Sequence, residues 1–273
     1  MKQKFKLSGE QAFHQFYQQR FGQRWPTLQQ ALLNKHDYTQ LNEGLHRAYH
    51  LDIASVLAAE ALDVHPGMDV LDMCAAPGGK ALVLALALQS KGSLTANEFS
   101  RDRFFRLKRN LQLLKNPPDK GIFCTQSDAR RYGMDHQHVH FDRILLDAPC
   151  SSEAHVLKNP HYLQQWGPRR AKRLAIEQLA MLCQALQLCK KGGKIVYSTC
   201  SLNEDENDAV IERLMKKRAG HFSIYPLHLS LGQNTQYGWQ IWPDIHHQGP
   251  MYIACLQKEK SPPEGLEKNL KKS

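Results

Sequence analysis

Two cysteines stand at places where a thiol could do chemistry. Cys150 ends the string Asp147-Ala148-Pro149-Cys150, and Cys200 lies in Ser198-Thr199-Cys200-Ser201. Each string follows a short apolar run, Arg143-Ile144-Leu145-Leu146 and Ile195-Val196-Tyr197, that reads as a strand running into a loop. A thiolate is a strong nucleophile and can open a covalent route through a difficult reaction. A single cysteine is ordinarily a small, inert core residue. Two at strand ends that a parallel sheet would bring to one edge, one of them beside Asp and Pro, favour chemistry.

A third string, Asp72-Met73-Cys74-Ala75-Ala76-Pro77-Gly78-Gly79-Lys80, joins a strand to a helix. Its small residues let a ligand approach the backbone closely, and the helix it opens presents free amides that favour an anionic group. It matches neither the spaced-glycine dinucleotide fingerprint nor the phosphate-binding loop ending in Lys-Ser or Lys-Thr. A bare Gly-Gly pair would be only a tight connection; the whole string is more specific. Glu98 ends the next strand, where an acid can accept from both hydroxyls of a ribose; taken alone it is a surface glutamate. Asp128, in Ser127-Asp128-Ala129, could accept from an adenine amino group or simply cap a turn, and the two readings stand level.

The elements that must carry these loops follow from periodicity. Strands are expected over 69–73, 93–97, 122–126, 142–146, 194–198, 222–225 and 251–256, and helices over 54–62, 79–89, 101–114, 168–189 and 204–217. Strands alternating with helices imply an α/β fold, a seven-stranded, mostly parallel sheet with helices on both faces. Ligands of such sheets bind beyond the carboxyl ends of the strands, where all five strings fall. Residues 1–48 read as a helical N-terminal extension. Phe13, Phe16, Tyr17 and Phe21 fall at helical spacing as a packing face, and a second helix is expected over 28–33. The main domain is expected over 49–258, and 259–273, with Pro262-Pro263 and several Lys, as a flexible basic tail.

Lys and Arg number 36 against 26 Asp and Glu, a formal charge of +10. That suits a polyanionic partner, whose counterions cationic side chains displace; the plainer reading is a solvated surface. Arg101, Arg103, Arg106, Lys108 and Arg109 line one segment and Arg169, Arg170, Lys172 and Arg173 another, where phosphate contacts could position a strand without reading its bases. Seven cysteines, an odd number with no zinc-finger spacing and no signal peptide in view, point to a reducing compartment, the cytoplasm. His136, His138 and His140 sit in a polar segment, and no metal is expected there. No apolar run reaches the ~18 residues of a membrane span, so no membrane association is expected. A monomer is expected.

Taken together, the strings resemble the Nol/Nop/Sun (RsmB-type) family of RNA cytosine-5 methyltransferases. The loop from Cys74 to Lys80, the Asp147-Ala148-Pro149-Cys150 string, and Ser198-Thr199-Cys200-Ser201 followed by Glu206-Asn207 carry the resemblance. It covers roughly residues 50–257. Phe21-Gly22-Gln23-Arg24-Trp25-Pro26 and Gly249-Pro250-Met251-Tyr252 make it nearest to the mitochondrial small-subunit rRNA member and short bacterial relatives. The resemblance implies a Rossmann-like class I methyltransferase fold and S-adenosyl-L-methionine as cofactor. It implies cofactor contacts from Cys74, Ala75, Ala76, Pro77, Gly78, Gly79 and Lys80, with Glu98 on the ribose, Arg103 beside it and Asp128 near the adenine. Asp147 would lie between cofactor and base, Lys80 would also face the reacting centre, Cys200 would be the nucleophile and Cys150 the second cysteine. Glu98 departs from a commoner Asp but can make the same contact. RNA is the implied substrate, rRNA before tRNA. No added RNA-binding domain is found, which leaves targeting to the N-terminal extension, the basic surface or a partner protein.

The implied chemistry explains the residue types. Carbon 5 of cytosine is a poor nucleophile until a thiolate adds at carbon 6. Asp147 would have to bring a proton to N3 as charge develops, and after methyl transfer Cys150 is assigned to release. The base must be unstacked to be reached. Three other readings compete. A ribose 2′-hydroxyl methyltransferase would need no nucleophilic cysteine. A DNA cytosine methyltransferase would attack through Cys150. A non-enzymatic RNA-binding assembly factor would keep the fold without the activity.

Overall fold

The computed structural model describes residues 8–36, 38–136 and 139–259. In chain order they form α1 (Glu10–Phe21), α2 (Trp25–Leu33), β1 (Tyr38–Leu41), β2 (Tyr49–Asp52), α3 (Ile53–Glu60), β3 (Asp69–Asp72), α4 (Gly79–Ala87), β4 (Ser93–Asn97), α5 (Arg101–Leu111), β5 (Ile122–Thr125), α6 (Tyr132–Asp135) and β6 (Phe141–Asp147). There follow α7 (Glu153–Lys158), α8 (Pro160–Gln164), α9 (Arg169–Leu188), β7 (Cys189–Thr199), α10 (Asp208–Lys217), β8 (Phe222–Tyr225), β9 (Gln233–Asn234), β10 (Trp239–Ile241), α11 (Pro243–His246) and β11 (Met251–Lys258).

The sheet runs β5-β4-β3-β6-β7-β11-β10-β9, with β8 pairing the end of β11. The strands from β5 to β7 pair parallel. Among the described strands of this sheet, only β11 and β9 run against the rest. All seven expected strands are present, and the short β9 and β10 extend one edge. Central strands are continuous apolar runs because both faces are covered. Their residues divide between the faces with period two. Val70, Leu94, Leu145 and Val196 share a core with α3, α4 and α5, whereas Leu71, Ile144, Leu146 and Ile195 face α9 and α10.

β3 has β4 on one side and β6 on the other, so the strand order reverses there. The crevice beyond the carboxyl ends of β3 and β6 is therefore the ligand position of this architecture. Crossover helices run back against the strands, which puts the N-termini of α4, α5 and α9 at the same edge.

α1 and α2 bury Phe13, Tyr17, Trp25 and Leu28 against Val156, Trp166 and Leu202. The aromatic spacing therefore marks a packing face. α2 begins earlier than expected, at Trp25, because a proline in the first turn forfeits no hydrogen bond. β1 and β2 pair as a hairpin from Tyr38↔Asp52 to Leu41↔Tyr49, so the extension expected to be helical to residue 48 also contributes a strand. The helix expected over 204–217 is broken at Asn207, whose backbone leaves the helical region (φ −111°, ψ −110°). His138 and, beyond Glu259, the expected tail lie outside the described residues. No helix among the described residues is long and apolar enough to cross a membrane.

Candidate active site

The loop after β3 is held open by groups from α5 and β4. Gly78 precedes α4 at φ +118°, a conformation that favours glycine, and a Cβ there would lie 3.3 Å from Leu107 Cδ1 and Asn110 Cβ, which would have to give way. Asn110 Nδ2 donates to Pro77 O at 2.8 Å and Arg103 Nη2 to Ala76 O at 2.5 Å. Asn97, fully buried, laces three strand ends together. Its Nδ2 donates to Met73 O and Ser127 O at 3.0 and 2.9 Å, and its Oδ1 accepts from Ser127 N and Thr125 Oγ1 at 2.9 and 3.0 Å.

Three carboxylates stand at these strand ends in different electrostatic states. Asp72 is 1% exposed, and neither of its oxygens has a hydrogen-bond partner. Burial, reinforced by the charge of Asp147, pushes its carboxyl up to about 7 against the pull of Lys80. Glu98 is buried; Oε1 accepts from Ser100 N at 2.8 Å. Its Oε2 lies 3.4 Å from Arg103 Nη1 but makes no hydrogen bond. Asp128 is engaged by Arg130, whose Nη2 donates at 2.6 Å and whose backbone N–H donates at 2.9 Å, and this holds its carboxyl below the usual range. A cavity of about 260 Å³ opens beside the loop, lined by Tyr38, Asp52, Asp72, Ala75, Lys80 and Asp147 among others. Glu98 and Asp128 are not part of its lining.

The ends of β6 and β7 bring the two cysteines into contact, with Cys150 Sγ 3.2 Å from Cys200 Sγ. Both are free and half-buried. Either thiol can donate to the other; with Cys150 as donor, Cys200 falls below its ordinary value against the cost of burial, and the Ser152 hydroxyl assists. Cys150 is pushed up by the same pairing and by burial, with Glu206 and Glu153 adding to it. A thiol donating to its neighbour favours the neighbour as thiolate, so the pair can hold one thiolate beside one thiol. Beside them, Lys80 Nζ lies 2.9 Å from Asp147 Oδ2 and donates to Ser55 Oγ at 3.1 Å, while Ser198 Oγ donates to Asp147 Oδ1 at 2.9 Å. Burial works against the Lys80 charge, but Asp147, with a contribution from Cys200, outweighs it and raises Lys80 above its usual value.

Beneath the cysteines lies a buried network that sequence reasoning did not list. Ser151 and Ser201, each following a cysteine, lie 3.0 Å apart through their hydroxyls. Glu206 accepts from Ser151 N and Gln178 Nε2, both at 2.9 Å, and from the Ser151 hydroxyl. Burial raises its carboxyl above the ordinary value. Glu153 accepts from Ser201 Oγ at 2.8 Å and Leu202 N at 3.1 Å. Asn207 accepts from Thr199 Oγ1 at 2.6 Å and donates to Ser201 O at 2.9 Å. Glu206-Asn207 had a sequence signal as a string; Glu153 had only its nearness to Cys150, and Asp72 only its place at the head of the loop string.

The chain is similar to known proteins along most of its length. The family model for the 16S rRNA methyltransferase RsmB/F matches residues 59–257. The tRNA (cytosine(34)-C(5))-methyltransferase, mitochondrial, of Danio rerio is 34% identical over 235 residues, covering 78% of this chain and 61% of the relative. The ribosomal RNA small subunit methyltransferase F of Shewanella amazonensis is 34% identical over 206 residues, 73% of this chain and 43% of the relative. The chain thus spans about half the length of the curated relatives it matches. Among solved structures, NSun6 from Pyrococcus horikoshii, crystallised with SFG, is 26% identical with a TM-score of 0.69, covering 80% of this chain and 55% of that one. A methyltransferase homologue protein from Pyrococcus horikoshii shares the fold at a TM-score of 0.74 and 23% identity, over 90% of this chain and 94% of that one.

Proposed function

The chain belongs to the 16S rRNA methyltransferase RsmB/F family, and from that premise we propose that it transfers a methyl group from S-adenosylmethionine to carbon 5 of a cytosine in RNA, with Cys200 as covalent nucleophile. The observation that carries this reading is the thiol pair at 3.2 Å beside the Lys80–Asp147 ion pair. A ribose methyltransferase has no use for two thiols so placed.

The residues fit the cofactor. The two oxygens of Asp72 and Oε2 of Glu98, none with a hydrogen-bond partner, are buried acceptors that can still take donors, as an ammonium and a ribose hydroxyl would supply. The N-terminus of α4, with the loop from Cys74 to Lys80, suits a carboxylate. Arg103 holds both the loop and Glu98. Asp128 would reach an adenine only by yielding part of its pairing with Arg130. When bound, the cofactor supplies an electrophilic methyl group.

The chain's own residues do the rest. Cys200 adds as thiolate to carbon 6, which places electron density on carbon 5. Asp147, which accepts from Lys80 and Ser198, carries or relays the proton that meets N3 as negative charge develops there. After methyl transfer a base takes the carbon-5 proton, the electron pair of that bond re-forms the ring double bond, and the bond from carbon 6 to Cys200 breaks with Cys200 leaving as thiolate; Cys150, 3.2 Å away, is assigned to this release. The base enters unstacked. The methyltransferase unit is residues 49–258, with the N-terminal extension, the basic surface or a partner protein selecting the target.

Ribosomal RNA is the favoured target, supported by the description of the family and by the small-subunit relatives; the tRNA relative from Danio rerio is the specific reason to test both. Bisulfite sequencing of total RNA with and without the gene should show one rRNA cytosine losing protection. Loss confined to a tRNA would move the target, and loss nowhere would reject the activity. On a denaturing gel, Cys150→Ala should accumulate an RNA adduct that Cys200→Ala cannot form. The reverse pattern would exchange the two roles.

A further inference from the structure

The buried network under the cysteines reaches helix α1. Tyr17, fully buried, donates through its phenol to Glu153 Oε1 at 2.7 Å. Glu153 is also fully buried, and its other hydrogen-bond donors belong to the turns just after the two cysteines: Ser201 Oγ, Leu202 N and, at 3.3 Å, Ser151 Oγ. Each serine hydroxyl can donate only once, yet the two face Glu153, Glu206 and each other. When Ser151 serves Glu206, its nearer carboxylate, Glu153 is left with Ser201, Leu202 N and Tyr17. Tyr17 is the one of these donors that stands outside the two cysteine loops.

We propose that helix α1 positions the cysteine pair, Tyr17 acting through Glu153 to hold the turn after Cys200. Tyr17 is a positioning residue and touches no reacting atom. Without its hydroxyl, a buried carboxylate loses a donor. The Glu153 charge then bears more heavily on Cys200, which it already opposes. Asp147 opposes the thiolate as well, while Cys150 and Ser152 favour it and Lys80 stands by as the nearby cation. The outcome is a less reactive Cys200 in an otherwise folded protein. The inference rests on the reading of Cys200 as nucleophile, but its test does not need methyl transfer.

The experiment measures iodoacetamide alkylation of Cys200 across pH, mapped by mass spectrometry on the full chain, for the parent, Tyr17→Phe, Glu153→Gln and the double variant. Tyr17→Phe should alkylate several-fold more slowly at neutral pH, with the midpoint of the profile moved upward. The double variant should be no slower than the worse single one, because the two residues act as one unit. If the parent methylates RNA, kcat should fall in Tyr17→Phe with the KM for S-adenosylmethionine unchanged. An unmoved alkylation profile in a variant that merely melts earlier would reduce Tyr17 to a structural residue, as would additive effects in the double variant. If the parent fails to methylate RNA, the functional reading falls while the alkylation profiles still decide the role of Tyr17.

Discussion

Asp72 carries the least compensated carboxyl of the site, and its electrostatics give a test that is independent of turnover. Its folded value near 7 lies above the ordinary 3.8. The carboxyl therefore favours folding fully below the ordinary value, and that contribution is lost as pH rises to about 7, on the order of 4 kcal/mol in all. The parent should lose stability across this window, and Asp72→Asn should show a flatter profile whatever its absolute stability; parallel melting curves would rule the assignment out. A cation bound against Asp72 would ionise it. Cofactor binding at slightly acid pH should therefore release a proton in the parent and none in Asp72→Asn, as calorimetry in buffers of different ionisation heat would read. The cysteines were legible as candidates because their strings are unusual. The state of Asp72 was not, because it depends on which side chains fail to reach it.

The elements that place these residues are tied together by a few polar side chains, of which Asn97 does the most. Replacing it by alanine leaves Met73 O, Ser127 O, Ser127 N and the Thr125 hydroxyl short of their partner, at about 1–3 kcal/mol for each group left buried and unpaired. Asn97→Ala should unfold at clearly lower urea and bind S-adenosylmethionine at least about tenfold more weakly, since 1.4 kcal/mol is a factor of ten; wild-type affinity would free the loop from this lacing. The strands themselves were readable from apolar runs between Gly and Asp. β9 and β10, of two and three residues, are too short to show a period, and the β1–β2 hairpin alternates only weakly in burial. The break at Asn207 was hidden for another reason. Its side chain is spent on Thr199, Ser201 and Gln240, long-range partners that no local propensity encodes.

At the scale of the whole molecule, the formal charge of +10 does not say where RNA lies, but topology divides the cations. Each crossover helix starts at the carboxyl edge of the sheet, so Arg169 and Arg170 open α9 at that end, and about 13 Å further along the helix Gln178 donates to Pro149 O, next to Cys150, at 2.9 Å. Lys108 and Arg109 close α5, roughly 10 Å further from that edge at 1.5 Å per residue. The cations of the two basic segments therefore fall into two populations in space, near and far from the carboxyl edge. Reversing Arg169 and Arg170 to Glu should weaken RNA binding and flatten its salt dependence. Losing two phosphate contacts lowers the slope of log K against log salt by about 1.4 on a single strand. Reversing Lys108 and Arg109 removes the same charge from the far end and should change affinity only through the general field, with a slope close to the parent's. Filter binding across a salt series distinguishes the two. Equal losses from both pairs would mean that net charge, not the active edge, holds the RNA, and a larger loss from the α5 pair would place its path over the opposite end of the sheet.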